Sequence, residues 1–169
     1  VLSAFIKALK ASPSAQLSLP CGKIVCRSYG TISFSGEALP QFAPTPLRVP
    51  GETRIAELGL KFSCKTVENY KKSANTPFHF AVRYDMITQS ILQVRPRQTG
   101  DRLSLRSGHS KTLKKLLIDR KIPRAERDRM AVITAGHALL GVSGVGVNHA
   151  YMAEEGQPAL LICIEKEEM

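Results

Sequence analysis

Apolar and polar positions change period several times along this chain. Leu2, Phe5, Ile6 and Leu9 recur at helical spacing, with Lys7 and Lys10 on the other side, and Ser12-Pro13-Ser14 stops the run. A short helix is predicted over residues 1–11. From Gln16 the period shortens to two. Residues 16–36 read as a β-hairpin turning at Tyr29-Gly30-Thr31, and Pro40, Pro44, Pro46 and Pro50 make 37–51 an irregular connection. Alternation resumes from Arg54 to Val67. Residues 69–77 are a polar surface loop, and Phe78–Tyr84 and Ile91–Arg95 are strands.

Gly100-Asp101 predicts a tight turn, and Leu103 and Leu105 a short strand. Ser110 is the expected N-cap of a helix over Lys111–Lys121. In that helix Leu113, Leu116 and Leu117 form the buried stripe. Lys111, Lys114 and Lys115 fall opposite it, with Ile118 among them. Pro123 ends the helix and opens a second helical turn carrying Arg124, Arg127 and Arg129. Met130–Ile133 and Ala138–Val142 are strands joined at Ala135-Gly136-His137, Gly144–Asn148 is a glycine-rich turn, and Ala159–Ile164 is the closing strand. The fold class expected is α+β, β-predominant: many antiparallel strands with one or two packed helices.

Length and composition fit ordinary globular material, one domain of usual size or two small ones: 169 residues, 43% hydrophobic and 22% charged. No run of eighteen apolar residues is long enough for a membrane-spanning helix, and the first residues lack the pattern of a secretory signal. The first residue is not Met and the first helix is too short to stand alone. The expectation is therefore a piece of a longer protein, with residues 1–15 the tail of an upstream helical domain and 16–169 a C-terminal unit.

Charge changes the picture more. The formal net charge is +10, and residues 95–129 hold twelve bases against four acids, eight of the bases being Arg. Residues 130–169 hold one base and five acids. A compact basic block is the electrostatic footprint of a polyanion partner, and the arginine fork matches phosphate bidentately. A solvated face with internal ion pairs is the structural alternative, since Asp101, Asp119, Glu126 and Asp128 are interleaved. With Trp absent and aromatics at 6%, a recognition surface of stacked rings is not expected.

Candidate chemistry is sparse. Cys21, Cys26, Cys64 and Cys163 form no CxxC pair and read as free thiols, and no metal site is expected from them or from His79, His109, His137 and His149. Glu126 and Asp128 sit among arginines that keep both ionised, with no nucleophile beside them. Gly141–Gly146 matches neither a Walker pattern nor GxGxxG and reads as a turn. No catalytic residues are assigned.

Three elements in order carry a resemblance: Arg95-Pro96-Arg97-Gln98-Thr99-Gly100-Asp101, then Lys111-Thr112-Leu113-Lys114-Lys115-Leu116, then Pro123-Arg124-Ala125-Glu126-Arg127-Asp128. They resemble the C-terminal region of bacterial tRNA(Ile)-lysidine synthetases. The upstream stretch Leu19-Pro20-Cys21-Gly22-Lys23 with Arg27-Ser28-Tyr29-Gly30 is similar to what precedes that region, so the likeness covers most of 16–148, its specific motifs lying in 95–148.

The resemblance implies a parent ligase that uses ATP and Mg to join lysine to the wobble cytidine of an isoleucine tRNA. In that family the chemistry belongs to an N-terminal PP-loop domain whose Ser-Gly-Gly-x-Asp-Ser loop does not occur in this sequence. It further implies a cytoplasmic, tRNA-binding tail whose partners are tRNA, gripped near the acceptor stem, and its own catalytic domain. The fold implied is a layered antiparallel β-sandwich like that of a phenylalanyl-tRNA synthetase β-subunit domain. The tRNA-binding residues expected are Arg95, Arg97, Lys111, Lys114, Lys115, Arg120, Lys121, Arg124, Arg127 and Arg129, with Gly100 and Asp101 shaping the turn. Asp101 is expected to fix that turn or to pair with Arg97 or Arg102. An interdomain or protein-interaction module with a basic face is the alternative, and the oligomeric state is open, a dimer included.

Overall fold

The structure is a computed structural model that describes residues 2–19, 23–35, 41–73, 75–88 and 90–167. Helix α1 (Leu2–Ala11) is followed by β1 (Ser14–Ser18), β2 (Ile24–Ser28) and β3 (Thr31–Ser35), which form an antiparallel sheet of their own. The expected hairpin is therefore a three-stranded sheet. Lys7 and Lys10 face solvent as predicted, but so does Ile6.

Two larger sheets make the body of the molecule. One has the order β13-β12-β11-β8-β4, built from β4 (Thr45–Pro46), β8 (Leu92–Pro96), β11 (Ala131–Ala135), β12 (Ala138–Val142) and β13 (Gly146–Val147). The other has the order β5-β6-β14-β7, built from β5 (Gly51–Ile55), β6 (Leu60–Val67), β7 (His79–Arg83) and β14 (Ala159–Lys166). The single alternating run foreseen over 54–67 is thus a hairpin, reversed through a 3-10 turn at Ala56–Leu58 with Gly59 in the left-handed conformation at φ 61°. The proline-rich connection yields β4, and the glycine-rich turn yields β13.

The inner faces of the two sheets enclose the main core: Phe62, Phe80, Val94, Ile133, Leu140, Leu160 and Ile162 are all essentially inaccessible. Gly141 in β12 permits their close approach. A Cβ there would lie 2.6 Å from the Phe80 ring and 3.0 Å from the Gly146 carbonyl oxygen.

Strand β11 is buried along its whole length, because its second face is covered too. Val132 and Val142 pack there against Leu113, Leu116 and Leu117 of helix α2 (Leu113–Asp119). The hairpin of β9 (Arg102–Ser104) and β10 (Ser110–Thr112) contributes Leu103 to the same cluster. The result is a layered α+β fold in which strands predominate, with α2 and the short α3 (Arg124–Arg127) on one outer face.

The predicted helix start is corrected. Residues Ser110–Thr112 pair with β9, and Thr112 is the N-cap, its hydroxyl accepting from the Lys115 amide at 3.3 Å. Ser110 is held instead by Arg102, whose Nε donates to its hydroxyl at 3.1 Å. Ser is the stronger cap by itself, but the pairing of Ser110–Thr112 with β9 delays the helix start to Thr112.

Candidate nucleic-acid interface

The basic block begins at the end of β8. Arg95 meets Asp101 through two parallel hydrogen bonds, Nη2 to Oδ1 at 2.8 Å and Nη1 to Oδ2 at 3.0 Å. Their side chains are only 14% and 8% exposed. Asp101 Oδ2 also accepts from the Gln98 amide at 2.7 Å, and the Asp101 carbonyl accepts from the Leu113 amide at 2.7 Å. One residue thereby closes the turn, neutralises Arg95 and anchors the first residue of α2. Gly100, at φ 96°, supplies the left-handed step before it. The expected partners of Asp101, Arg97 and Arg102, are replaced by Arg95, because Arg97 lies beyond β8 and turns towards Asp128, at 2.8 Å.

Lys111 sits on β10, not on the helix with Lys114 and Lys115, and its ammonium pairs with Asp119 at the far end of α2. The foreseen helical triad Lys111, Lys114 and Lys115 is thus a pair plus one strand residue. Three further arginines hold backbone. Arg120 Nη1 donates to the Val145 carbonyl at 3.3 Å, Arg127 Nε to the Ile122 carbonyl at 2.6 Å, and Arg129 Nη2 to the Glu57 carbonyl at 2.8 Å. Carbonyl contacts fix these guanidinium groups without cancelling their charge.

The remaining four positions differ. Lys114, Lys115, Lys121 and Arg124 are exposed, and among the described residues none makes an ion pair or a side-chain hydrogen bond. Lys114 and Lys115 project from α2 opposite its buried leucines, with Ile118 beside them at 40% exposure. Three of the four acids interleaved in the block, Asp101, Asp119 and Asp128, are taken by Arg95, Lys111 and Arg97. Glu165 of β14 is engaged elsewhere, with Lys61 at 2.7 Å, and so is Glu167 just beyond it, with Arg54 at 2.8 Å. The Glu165 hydrogen bond, with the nearby Glu52 carboxylate, raises the Lys61 pKa. The α2–α3 surface carries acids of its own, Asp119 and Asp128 in ion pairs and Glu126 exposed on α3, yet Lys114, Lys115, Lys121 and Arg124 are left without an ion-pair partner among the described residues.

Two residues that shape this surface lie outside the expected binding set. Tyr29, at φ 47° in the turn between β2 and β3, accepts from Arg127 Nη2 at 3.1 Å and donates to the Ile118 carbonyl at 3.4 Å, joining the N-terminal sheet to α2 and α3. Asn148 is buried. Its amide donates to the Leu139 carbonyl at 2.7 Å, and its Oδ1 accepts from the amides of Ser104 at 3.0 Å and Ala150 at 3.2 Å. An Asn closing the glycine-rich turn foreseen over Gly144–Asn148 was the available signal, and its side chain caps the following 3-10 turn at the Ala150 amide. Tyr29 gave none, its partner lying 98 residues away.

Other chemistry is absent among the described residues. No three His, Cys, Asp or Glu side chains gather into a metal-binding cluster. Cys26, Cys64 and Cys163 are free thiols, while Cys21 lies outside the described residues. Burial pushes the Cys64 thiol up to about 12. No helix is long and apolar enough to cross a membrane.

The strands, the Arg95–Asp101 turn and the basic helix lie within or beside the segment that matches a family model, the TilS substrate C-terminal domain, over residues 92–164. A solved TilS C-terminal domain shares the fold, with a TM-score of 0.64 at 28% identity, covering 75% of this chain and 98% of that one. The basic segment is thus similar in sequence and in fold to the TilS C-terminal domain.

The chain as a whole resembles the C-terminal region of tRNA(Ile)-lysidine synthases. It is 30% identical to that of Symbiobacterium thermophilum over 92% of this chain and 35% of that protein. With that of Geobacillus kaustophilus it shares 33% identity over 89% of this chain and 33% of the relative. The chain therefore spans about a third of the length of the curated relatives it matches.

Proposed function

We propose that this chain is the tRNA-docking region of a tRNA(Ile)-lysidine synthase, and that Lys114, Lys115, Lys121 and Arg124 make its direct phosphate contacts. The observation that carries the reading is the group of four exposed cations without an ion-pair partner among the described residues, Lys114 and Lys115 on α2, Lys121 in the link and Arg124 on α3, where three of the four interleaved acids are already engaged. A-form RNA hides its base edges in a deep, narrow groove, so a protein grips it through phosphates and 2′-hydroxyls, by shape. Lys114 and Lys115, on a helix fixed by three buried leucines, suit that task. Arg120, Arg127 and Arg129 add field from fixed positions, whereas Arg95, Arg97 and Lys111 hold the surface in place through their carboxylate partners.

In this reading residues 16–169 dock the tRNA body near its acceptor stem, and residues 1–15 lead from an upstream helical domain. The parent enzyme works in the cytoplasm, where a separate N-terminal PP-loop domain binds ATP and Mg and joins lysine to the wobble cytidine. The chain itself contributes grip, not chemistry. The test is filter binding of an isoleucine tRNA to the 169-residue chain across a salt series. Binding that weakens steeply with salt is expected, because each neutralised phosphate releases condensed counterions. Absence of binding at low salt overturns the proposal. Equal binding of an acidic protein surface in competition favours an interaction module instead.

A further inference from the structure

Beside the basic surface lies a groove of about 290 Å³ between the β9–β10 hairpin, the end of α2, the Thr76–Pro77 loop and β13. We propose that this groove seats one unstacked nucleotide of an RNA single-stranded end, continuing the duplex contact made by α2 and α3. The inference rests on the RNA-binding reading above and adds a site to it.

Size sets the occupant. Sites for small organic ligands start near about 300 Å³. The groove is at that lower limit, room for one nucleoside and not for two. Its floor is apolar, with Leu105, Val145 and Val147 offering a surface for the flat face of a base. Arg106 and Arg120 also line it, whereas no Asp or Glu does. Arg120 spends only Nη1 on the Val145 carbonyl, and Arg106 makes no ion pair or side-chain hydrogen bond among the described residues. A 5′-phosphate at these two guanidinium groups is thereby favoured over a neutral ligand. Asn75 accepts the Ala81 amide through Oδ1, which leaves its NH2 to donate to a base edge. No Phe, Tyr or Trp lines the groove, and guanidinium planes can stack on a base in their place.

The walls are pinned before any ligand arrives. Asn148 Oδ1 ties β9 to the segment after β13 through the Ser104 amide, at 3.0 Å. Gly146, at φ 116°, brings β13 under the loop: a Cβ there would already be 3.8 Å from the Thr76 carbonyl oxygen. Arg120 follows directly on α2, so the groove opens where the basic helix ends, and a strand leaving the duplex has a charged path into it.

The experiment compares two RNA hairpins of the same stem, one blunt and one with a four-nucleotide 3′ extension, binding to the full chain at fixed salt. The extended RNA is expected to bind roughly fivefold to tenfold more tightly, the gain of stacking about one base. Ser104→Trp, which fills the groove, and Arg106→Ala, on an exposed turn, should each erase that advantage while leaving blunt-hairpin affinity unchanged. Circular dichroism checks that each variant folds, and the Arg106→Ala result stands on its own if Ser104→Trp does not. No gain from the extension in the parent chain, or a gain that survives in folded Arg106→Ala, overturns the groove assignment. Failure of the blunt hairpin to bind overturns the docking reading instead.

Discussion

Arg95 and Asp101 face each other through two parallel hydrogen bonds of 3.0 and 2.8 Å, nearly out of reach of solvent. The same aspartate accepts the Gln98 amide and, through its carbonyl, the first amide of α2. Breaking such a pair from one side leaves a shielded charge without a partner. Asp101→Asn or Arg95→Leu should each cost about 3 kcal/mol, read as a lower denaturation midpoint. The double variant Arg95→Leu with Asp101→Leu should recover part of that loss, since apolar replacement of a buried pair is often nearly neutral. Singles within about 0.5 kcal/mol of the parent, the range of ordinary surface substitutions, contradict the structural role.

Charge reversal at Lys114 and Lys115 should leave stability almost unchanged, because both side chains are exposed and unpaired. Binding of tRNA should fall steeply, and the slope of log affinity against log salt should drop by about 2, near one unit per phosphate contact. Lys71→Glu with Lys72→Glu, the same charge change in the loop before β7, is the control and should affect binding much less. Equal losses from the two pairs mean that net charge, not this surface, governs binding.

Gly141→Ala forces a methyl to within 2.6 Å of the Phe80 ring, from the opposite sheet. An overpacked core of this kind should lose about 1–3 kcal/mol. Phe80→Leu should be worse in the parent than in the Gly141→Ala background, with a coupling of about 1 kcal/mol in a double-mutant cycle. Additive effects would show that the two residues do not share the space.

Cys64 should resist thiol reagents in the folded chain and react only on unfolding, whereas half-exposed Cys26 should be labelled readily. Burial holds the Cys64 thiol protonated up to about 12, well above the value near 8.5 of an unfolded chain. The folded state therefore keeps a proton that the unfolded state releases. Stability is full below the unfolded value and falls as pH rises from there towards 12. The slope should approach about 1.4 kcal/mol per pH unit, and Cys64→Ala should remove it.

Much of the fold is legible in residue order alone. Alternating Phe62 and Cys64, Phe80 and Val82, and Leu160 and Ile162 face one core, because side chains on a strand have a period of two. Leu113, Leu116 and Leu117 declare a helix stripe and Pro123 the next helical start, but α2 ends at Asp119, short of the foreseen Lys121, which is left-handed at φ 56°. The concentration of Lys and Arg over 95–129 is likewise a property of the chain.

What the sequence leaves open is which partner each group meets. Arg95 and Lys114 are both basic residues in one block, yet one closes a turn on Asp101 and the other stands free. Ser110 is the better cap by residue type, yet the pairing of β9 with β10 assigns it to a strand and leaves Thr112 as the helix start. Tyr29 reaches α3 across 98 positions. Such contacts depend on how strands far apart in the chain are brought side by side. Period and composition fix which face a residue occupies, whereas tertiary packing alone decides what lies within 3 Å of it and which charges remain for a partner.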